Sequence, residues 1–217
     1  MKVPLKVARN ARQKMDGLAL LGALEDRTAA LVVFDPEYRQ ALDRLQFGNE
    51  GDRQSDRAEL PQMDDAMIGK FVAEIQRVLR SSGHLALFVD KYAIVSGSWQ
   101  KWLPEIFPMR TVDCQIWDKG RIGMGRRFRS RWEAMIVIQK GPVRAEGIWK
   151  NRGIPDICSA KADRSRHPHA KPVPMLQALV ECVTDPGDIV VDPAAGGYST
   201  LDACRATGRT FIGCDLL

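Results

Sequence analysis

Two short apolar runs, Leu31-Val32-Val33-Phe34 and Ile189-Val190-Val191, each lead straight into Asp-Pro, at Asp35-Pro36 and Asp192-Pro193. A continuous apolar run of this length, bounded by turn signals, reads as a strand buried on both faces, and such strands belong to parallel sheets covered by helices. The acid and the proline then fall at carboxyl ends of strands, where open α/β sheets bind ligands. The first run continues into Glu37-Tyr38 and the second into Ala194-Ala195-Gly196-Gly197. One strand end therefore offers an acceptor, a rigid carbonyl and an aromatic face, and the other a glycine turn that lets backbone approach a ligand closely.

The rest of the chain fits an alternation of strands and helices. Leu18, Leu20, Leu21 and Leu24 recur at near-helical spacing before a strand over Ala30 to Phe34. Met67, Ile68, Phe71, Ile75, Val78 and Leu79 predict a second helix that stops near Gly83. His84 to Asp90 reads as another buried parallel strand, with a helix around Ser98 to Ile106. Strands near Val112 to Trp117 and Ala134 to Gln139, separated by a glycine- and arginine-rich segment, form an antiparallel edge pair. A helix over Val173 to Val183 leads through the turn Asp185-Pro186-Gly187-Asp188 into the second run, followed by a helix over Thr200 to Ala206 and a last strand, Thr210 to Cys214. The expected fold is α/β, a mixed sheet with helices on both faces.

Two stretches lack this periodicity. Residues 44–64 are polar with Gly48, Gly51 and Pro61, which suggests a mobile functional loop, and residues 141–170 suggest a small inserted recognition segment. Plain solvated surface is the other reading of both. With 217 residues and 45% hydrophobic content, the chain fits a single domain spanning 1–217 with a sizeable core. Five cysteines without a Cys-x-x-Cys pair indicate neither a disulfide framework nor a zinc site, so no metal is expected. The sequence has no apolar stretch long enough for a membrane helix and no signal-peptide core at Met1 to Lys6, so a cytoplasmic protein without membrane contact is expected. Gly196-Gly197-Tyr198-Ser199-Thr200 lacks the lysine of a phosphate loop. A formal net charge of +5 is a modest bias toward an anionic partner.

Four blocks, in order, resemble the DNA amino-methyltransferases that use S-adenosylmethionine, in the circularly permuted beta-class arrangement where the catalytic motif precedes the cofactor motif. Asp35-Pro36-Glu37-Tyr38 resembles the family's Asp-Pro-Pro-Tyr, with Met15-Asp16 at the place of a preceding Gly-Asp. His167-Pro168-His169-Ala170-Lys171-Pro172 resembles His-Pro-Thr-Gln-Lys-Pro. Pro186 to Thr200 is similar to the glycine-rich cofactor block, and Gly208-Arg209-Thr210-Phe211-Ile212-Gly213-Cys214-Asp215 to Gly-Arg-x-Phe-Ile-Gly-x-Glu. The resemblance covers nearly the whole chain and implies a class I methyltransferase-like, Rossmann-like fold, with S-adenosylmethionine as cofactor and DNA as partner. It also admits a homodimer, since related enzymes often pair.

The resemblance implies roles that the chemistry of each residue supports. The adenine amine is a poor nucleophile because its lone pair is delocalised into the ring. Asp35 and the Pro36 carbonyl would accept its hydrogens, with Tyr38 as a stacking face worth roughly 1 to 3 kcal/mol. Transfer from a sulfonium requires neither metal nor covalent enzyme intermediate. On the cofactor side the implied contacts are Asp16 to the adenine amine, Asp215 to the ribose hydroxyls, and Gly196 with Gly197 against the methionine part, with Pro193 and Ala194 in the same cofactor-binding set. Asp192 would bind the ammonium or organise the loop, and Ser199 and Thr200 would bond the carboxylate or merely cap a helix. Lys171 lies near the cofactor or is an exposed lysine. Three residues depart from the pattern: Glu37 replaces a proline, Ala194 a phenylalanine, and Tyr198 a glycine, where it would wall the pocket or stack on the ligand. The family's helix after the last strand has no counterpart following Asp215, so another segment covers that edge or the fold tolerates its exposure.

For DNA contact the candidates are Lys119, Arg121, Arg126, Arg127, Arg129 and Arg131 in the basic segment, joined by Arg39. A solvated hairpin tip is the alternative. Glu133 matches a glutamate that follows the family's loop and would orient those arginines. Arg53, Arg57, Arg164 and Arg166 are weaker candidates, and His167 and His169 are expected to be structural. Asp at position 35, rather than Ser, favours adenine N6 as the target. Cytosine N4 is one alternative, and a methyltransferase-like DNA binder impaired by Glu37, Ala194 and Tyr198 is another.

Overall fold

The computed structural model describes residues 6–37, 63–103, 109–123, 127–161 and 170–216. Strand β1 (Ala29–Phe34) is buried at all six positions, as a run without polar alternation requires. It pairs in parallel with β2 (Leu79–Val89) on one side and β6 (Ile189–Asp192) on the other. Strands β3 (Met109–Asp118), β4 (Trp132–Lys140), β5 (Ile157–Ser159) and β7 (Thr210–Gly213) complete a seven-stranded sheet in the order β5-β3-β4-β2-β1-β6-β7. The chain leaves β1 toward β2 and leaves β6 toward β7, in opposite directions along the sheet. This is the switch point beside which a crevice opens at the strands' carboxyl ends. Val32 lies opposite Val191, so Asp35 and Asp192 emerge at the same edge.

Successive side chains of a strand face opposite sides, and both sides are filled. Val32 and Phe34 pack with α1 (Gly17–Gly22) and α2 (Asp65–Val78). Leu31 and Val33 pack with α4 (Val173–Val183) and α5 (Ser199–Thr207). Helices thus cover both faces. Helix α2 starts where Asp64 accepts from the Met67 N–H at 2.7 Å, an N-cap preceding the apolar spacing.

Several boundaries differ from expectation. Helix α2 ends at Val78, and Gly83 lies inside β2. Ala29 faces Leu79 whereas Leu31 faces His84, so five residues of β2 span two of β1 in a bulge. Ser82 there has φ 59° and donates to the Pro142 carbonyl at 2.7 Å. A Cβ on Gly83 would lie 3.1 Å from the Ala30 carbonyl oxygen, so this glycine permits close backbone approach rather than ending a helix. In place of one helix over Ser98 to Ile106, Asp90 caps α3 (Lys91–Ser96), and Gly97 at φ 67° turns the chain into a 3-10 segment, Ser98–Trp102. The β3–β4 pair is antiparallel, but β5 adds in parallel outside β3 and takes the edge position from it.

The arm before α1 covers β7. Asn10 exchanges bonds with Phe211 at 2.9 and 2.8 Å, Asp215 N–H donates to Gln13 at 3.2 Å, and Met15 N–H donates to Asp215 at 3.0 Å. An edge strand has unpaired backbone groups, and the arm satisfies several of them. It also carries Asp16 to the mouth of the crevice.

Candidate active site

A cavity of about 210 Å³ opens at the carboxyl ends of β1 and β6, far above the roughly 10 to 15 Å³ that one water needs. Asp35 and Glu37 line it from β1, Asp192 through Gly197 from β6, Asp16 from the arm, and Asp215 from the end of β7. Met67 and Phe71 of α2 and Leu176 of α4 form apolar wall. That wall was missed in the sequence, where the same residues count simply as core of an amphipathic helix; Phe71 also stacks on Phe34 at 5.1 Å. Gly17 was missed too. A Cβ there would lie 2.3 Å from the Pro193 carbonyl oxygen, so only glycine lets the arm meet the β6–α5 turn.

The β6–α5 turn is held from within. Asp192 accepts from the Ala194 N–H at 3.2 Å and from the Thr200 hydroxyl at 2.6 Å. Gly196, at φ 46°, donates to the Asp215 carboxylate at 2.8 Å. Burial pushes the Asp192 carboxyl up to about 7, with the charges of Asp35 and Asp215 adding to the effect and the Thr200 bond opposing it. Ser199 lines the cavity. Neither Ser199 nor Thr200 caps α5, whose N-cap is Tyr198 at φ 58° without a side-chain cap bond. Asp16 lines the cavity while capping α1 through Ala19 N–H at 2.9 Å.

Tyr198 is turned away from the cavity. Its hydroxyl donates to the Gln13 carbonyl at 2.9 Å, its ring meets Phe211 edge-on at 6.1 Å, and the Arg12 guanidinium lies 5.2 Å over it. It pins the arm and does not wall the pocket. Pro36 is buried and its side chain is likewise not on the cavity surface, whereas Pro193 and Ala194 are. Tyr38, Arg39, Arg126, His167 and His169 lie outside the described residues, as do Arg53, Arg57, Arg164 and Arg166.

Four charged side chains run from the cavity to the foot of the β3–β4 hairpin. The Lys171 ammonium lies 2.6 Å from Asp35 Oδ2 and 3.0 Å from Glu133 Oε2, and Glu133 also binds Lys119. The Phe88 ring, 4.7 Å from the Lys171 ammonium, and Trp117 at 5.9 Å flank the cation. Burial raises the Asp35 carboxyl above its ordinary value, against the pull of Lys171. Burial would also raise Glu133, but Lys171 and Lys119 outweigh it and hold that carboxyl at about 2. Burial would lower Lys171, yet Asp35 and Glu133 together keep it above the ordinary lysine value. Lys171 is therefore neither an exposed lysine nor remote from the first strand end.

The hairpin differs in detail from expectation. Glu133 pairs with the two lysines, and Arg131 pairs instead with Asp118 through two bonds of 2.7 and 2.8 Å. Lys119 is turned inward to Glu133, whereas Arg121, Arg127 and Arg129 are exposed. Phe128 at the tip is 88% exposed between two of those arginines. Among the described residues no group of acidic, histidine or cysteine side chains is arranged to hold a metal, and no helix is long and apolar enough to cross a membrane.

Comparison with known proteins agrees with this geometry. The model of the DNA methylase family, which covers N6 and N4 methyltransferases, matches residues 29–217. Type II methyltransferase M.HhaII of Haemophilus parahaemolyticus is 43% identical over 209 residues, 96% of this chain and 91% of that protein. Among solved structures, the M1.HpyAVI–SAM complex superposes with a TM-score of 0.66 at 17% identity, over 94% of this chain and 91% of the other. The cytosine-N4-specific PvuII DNA methyltransferase superposes at 0.72 and 14% identity, over 97% and 83%.

Proposed function

This chain belongs to the DNA methylase family, folds in the class I methyltransferase manner and uses S-adenosylmethionine, and from that premise we propose that it methylates the N6 amine of adenine in DNA. The observation that carries the proposal is the shared cavity: Asp35 and the Asp192–Gly197 turn, distant in sequence, line one space. Asp at the head of the first motif favours adenine over cytosine N4. The permuted order, catalytic strand end before cofactor strand end, is part of the same reading.

The residues present suit the cofactor. Asp16, Asp192 and Asp215 converge on a cavity with an apolar wall, and Asp192 is a buried carboxyl that a cationic ligand would stabilise in its charged form. Asp192 and the Gly196 turn would hold the methionine portion, Asp215 the ribose hydroxyls and Asp16 the adenine amine, with Ser199 near the carboxylate. Thr200 would act through Asp192, and Pro193 and Ala194 by contact. When bound, S-adenosylmethionine supplies a methyl group already activated on sulfonium. On the opposite side Asp35 accepts from the target amine and, with the Pro36 carbonyl, favours a localised lone pair. Tyr38 supplies a stacking face, and extrusion of the base from a duplex costs a few kcal/mol that such contacts offset.

Arg121, Arg127 and Arg129, with Arg126 and Arg39, are the proposed phosphate contacts. Glu37 and Ala194 line the cavity together with Asp35 and Gly196. Nucleosides from DNA incubated with protein and cofactor, resolved by mass spectrometry, test the reading. N6-methyladenine is the expected product. N4-methylcytosine would shift the target to cytosine, and DNA bound without any methylated base would favour the impaired binder.

A further inference from the structure

Lys171 has two carboxylates for one ammonium. Asp35 Oδ2 is 2.6 Å away and Glu133 Oε2 3.0 Å away, and the ammonium sits among Phe88, Trp117 and the cavity wall. The ammonium engages Oδ2 of Asp35, and this contact is what fixes how the carboxylate is presented. Glu133 in turn belongs half to Lys119, at the foot of the exposed basic hairpin. This arrangement ties the first strand end to the hairpin through three side chains from separate elements.

We propose that Lys171 is a positioning residue that orients the reacting carboxylate of Asp35, with Glu133 as the counterweight that sets how tightly Lys171 holds it. The inference rests on the reading that Asp35 meets the target amine. It follows from bonding capacity. An ammonium shared between two carboxylates shifts toward one when the other is removed, and its approach fixes the rotation of the carboxylate it retains. The groups facing Asp35 are Lys171 from the segment before α4, Glu133 from β4, Lys119 from the hairpin, Asp192 from β6 and Glu37 on the same cavity. Within this set Lys171 and Lys119 favour the ionised form of Asp35, and Glu133 opposes it.

The signs make the test discriminating. The carboxyl carbon of Asp35, assigned by comparison with Asp35→Asn, is titrated by NMR in free protein, with no DNA or cofactor. Lys171→Met, whose side chain suits the Phe88–Trp117 box, is expected to raise the Asp35 midpoint by roughly 1 to 3 units. Glu133→Gln is expected to lower it, and Lys171→Arg to keep it near the wild-type value. Single-turnover transfer then follows the same order. The acidic limb of the rate in Lys171→Met moves up with the Asp35 midpoint, costing about tenfold per unit below it, while KM for DNA stays unchanged. An Asp35 midpoint unmoved in Lys171→Met, or raised in Glu133→Gln, overturns the proposal. Should Lys171→Met fail to fold, the Glu133→Gln shift decides alone. A wild-type protein that transfers no methyl group would sink the functional reading, yet the titration would still uphold or reject the positioning role.

Discussion

Asp192 is a buried carboxyl and Asp35 a half-buried one, both at strand ends, and their neighbours differ. Asp35 has an ammonium at 2.6 Å, whereas among the described residues Asp192 has only the Thr200 hydroxyl and the Ala194 N–H. A carboxyl raised from 3.8 to about 7 binds a proton in the free protein below that pH. A cationic ligand favours the charged form, so S-adenosylmethionine binding is expected to release up to one proton and to tighten as pH rises from about 5 to 7. Calorimetry in buffers of different ionisation enthalpy measures that proton, and Asp192→Asn should abolish its release. The same raised carboxyl contributes stability that is fully present below its unfolded value and is lost as pH rises through 7. Asp35→Ala is expected to lower single-turnover transfer on the order of 10³-fold while leaving cofactor affinity nearly unchanged, measured by the same calorimetry. An equal loss of affinity would move Asp35 to the cofactor side. At this scale the position of a side chain was legible where it follows directly from a strand end, as at Asp35 and Asp215, which both line the cavity. It was not legible at Tyr198, because a tyrosine in a glycine turn looks like a pocket wall until Gln13, far away in sequence, supplies partners for its hydroxyl.

The elements were readable wherever burial followed a simple period. Helix α4 spans Val173–Val183 as its spacing implied, because it lays one apolar stripe on a sheet face. Gly83 misled for a physical reason: the same residue ends helices and permits bulges, and only the partner strand distinguishes the two. Strand β5 has three residues and alternates exposed with half-buried positions, too short a pattern to register against the irregular stretch around it. The hairpin between β3 and β4 carries an element-scale expectation. Arg127→Ala with Arg129→Ala should weaken DNA binding and reduce the slope of log affinity against log salt by about 1 for each phosphate no longer neutralised. Binding isotherms across a salt series measure it, and an unchanged slope would reject the hairpin as a DNA-binding element.

Across the whole molecule, strand order and the N-terminal arm together make the crevice. The sheet brings two Asp-Pro strand ends side by side, and the arm, laid along β7, closes the remaining side with Asp16. Tyr198 adds a side-chain pin to the bonds of Asn10, Gln13 and Met15 that join arm to sheet. Tyr198→Ala should therefore cost about 3 kcal/mol or more in urea unfolding, against about 1 for Tyr198→Phe, which keeps the ring without the hydrogen bond. It should also weaken cofactor binding although its side chain is not in the cavity. The central claim is that one rim serves both the cofactor and the target base. A crystal structure of the protein with S-adenosylhomocysteine and substrate DNA tests it most directly. The account predicts the cofactor product among Asp16, Asp192 and Asp215, with an extruded adenine whose amine rests on the Asp35 carboxylate and faces the sulfur. Cofactor bound elsewhere, or an extruded base held away from Asp35, would contradict it.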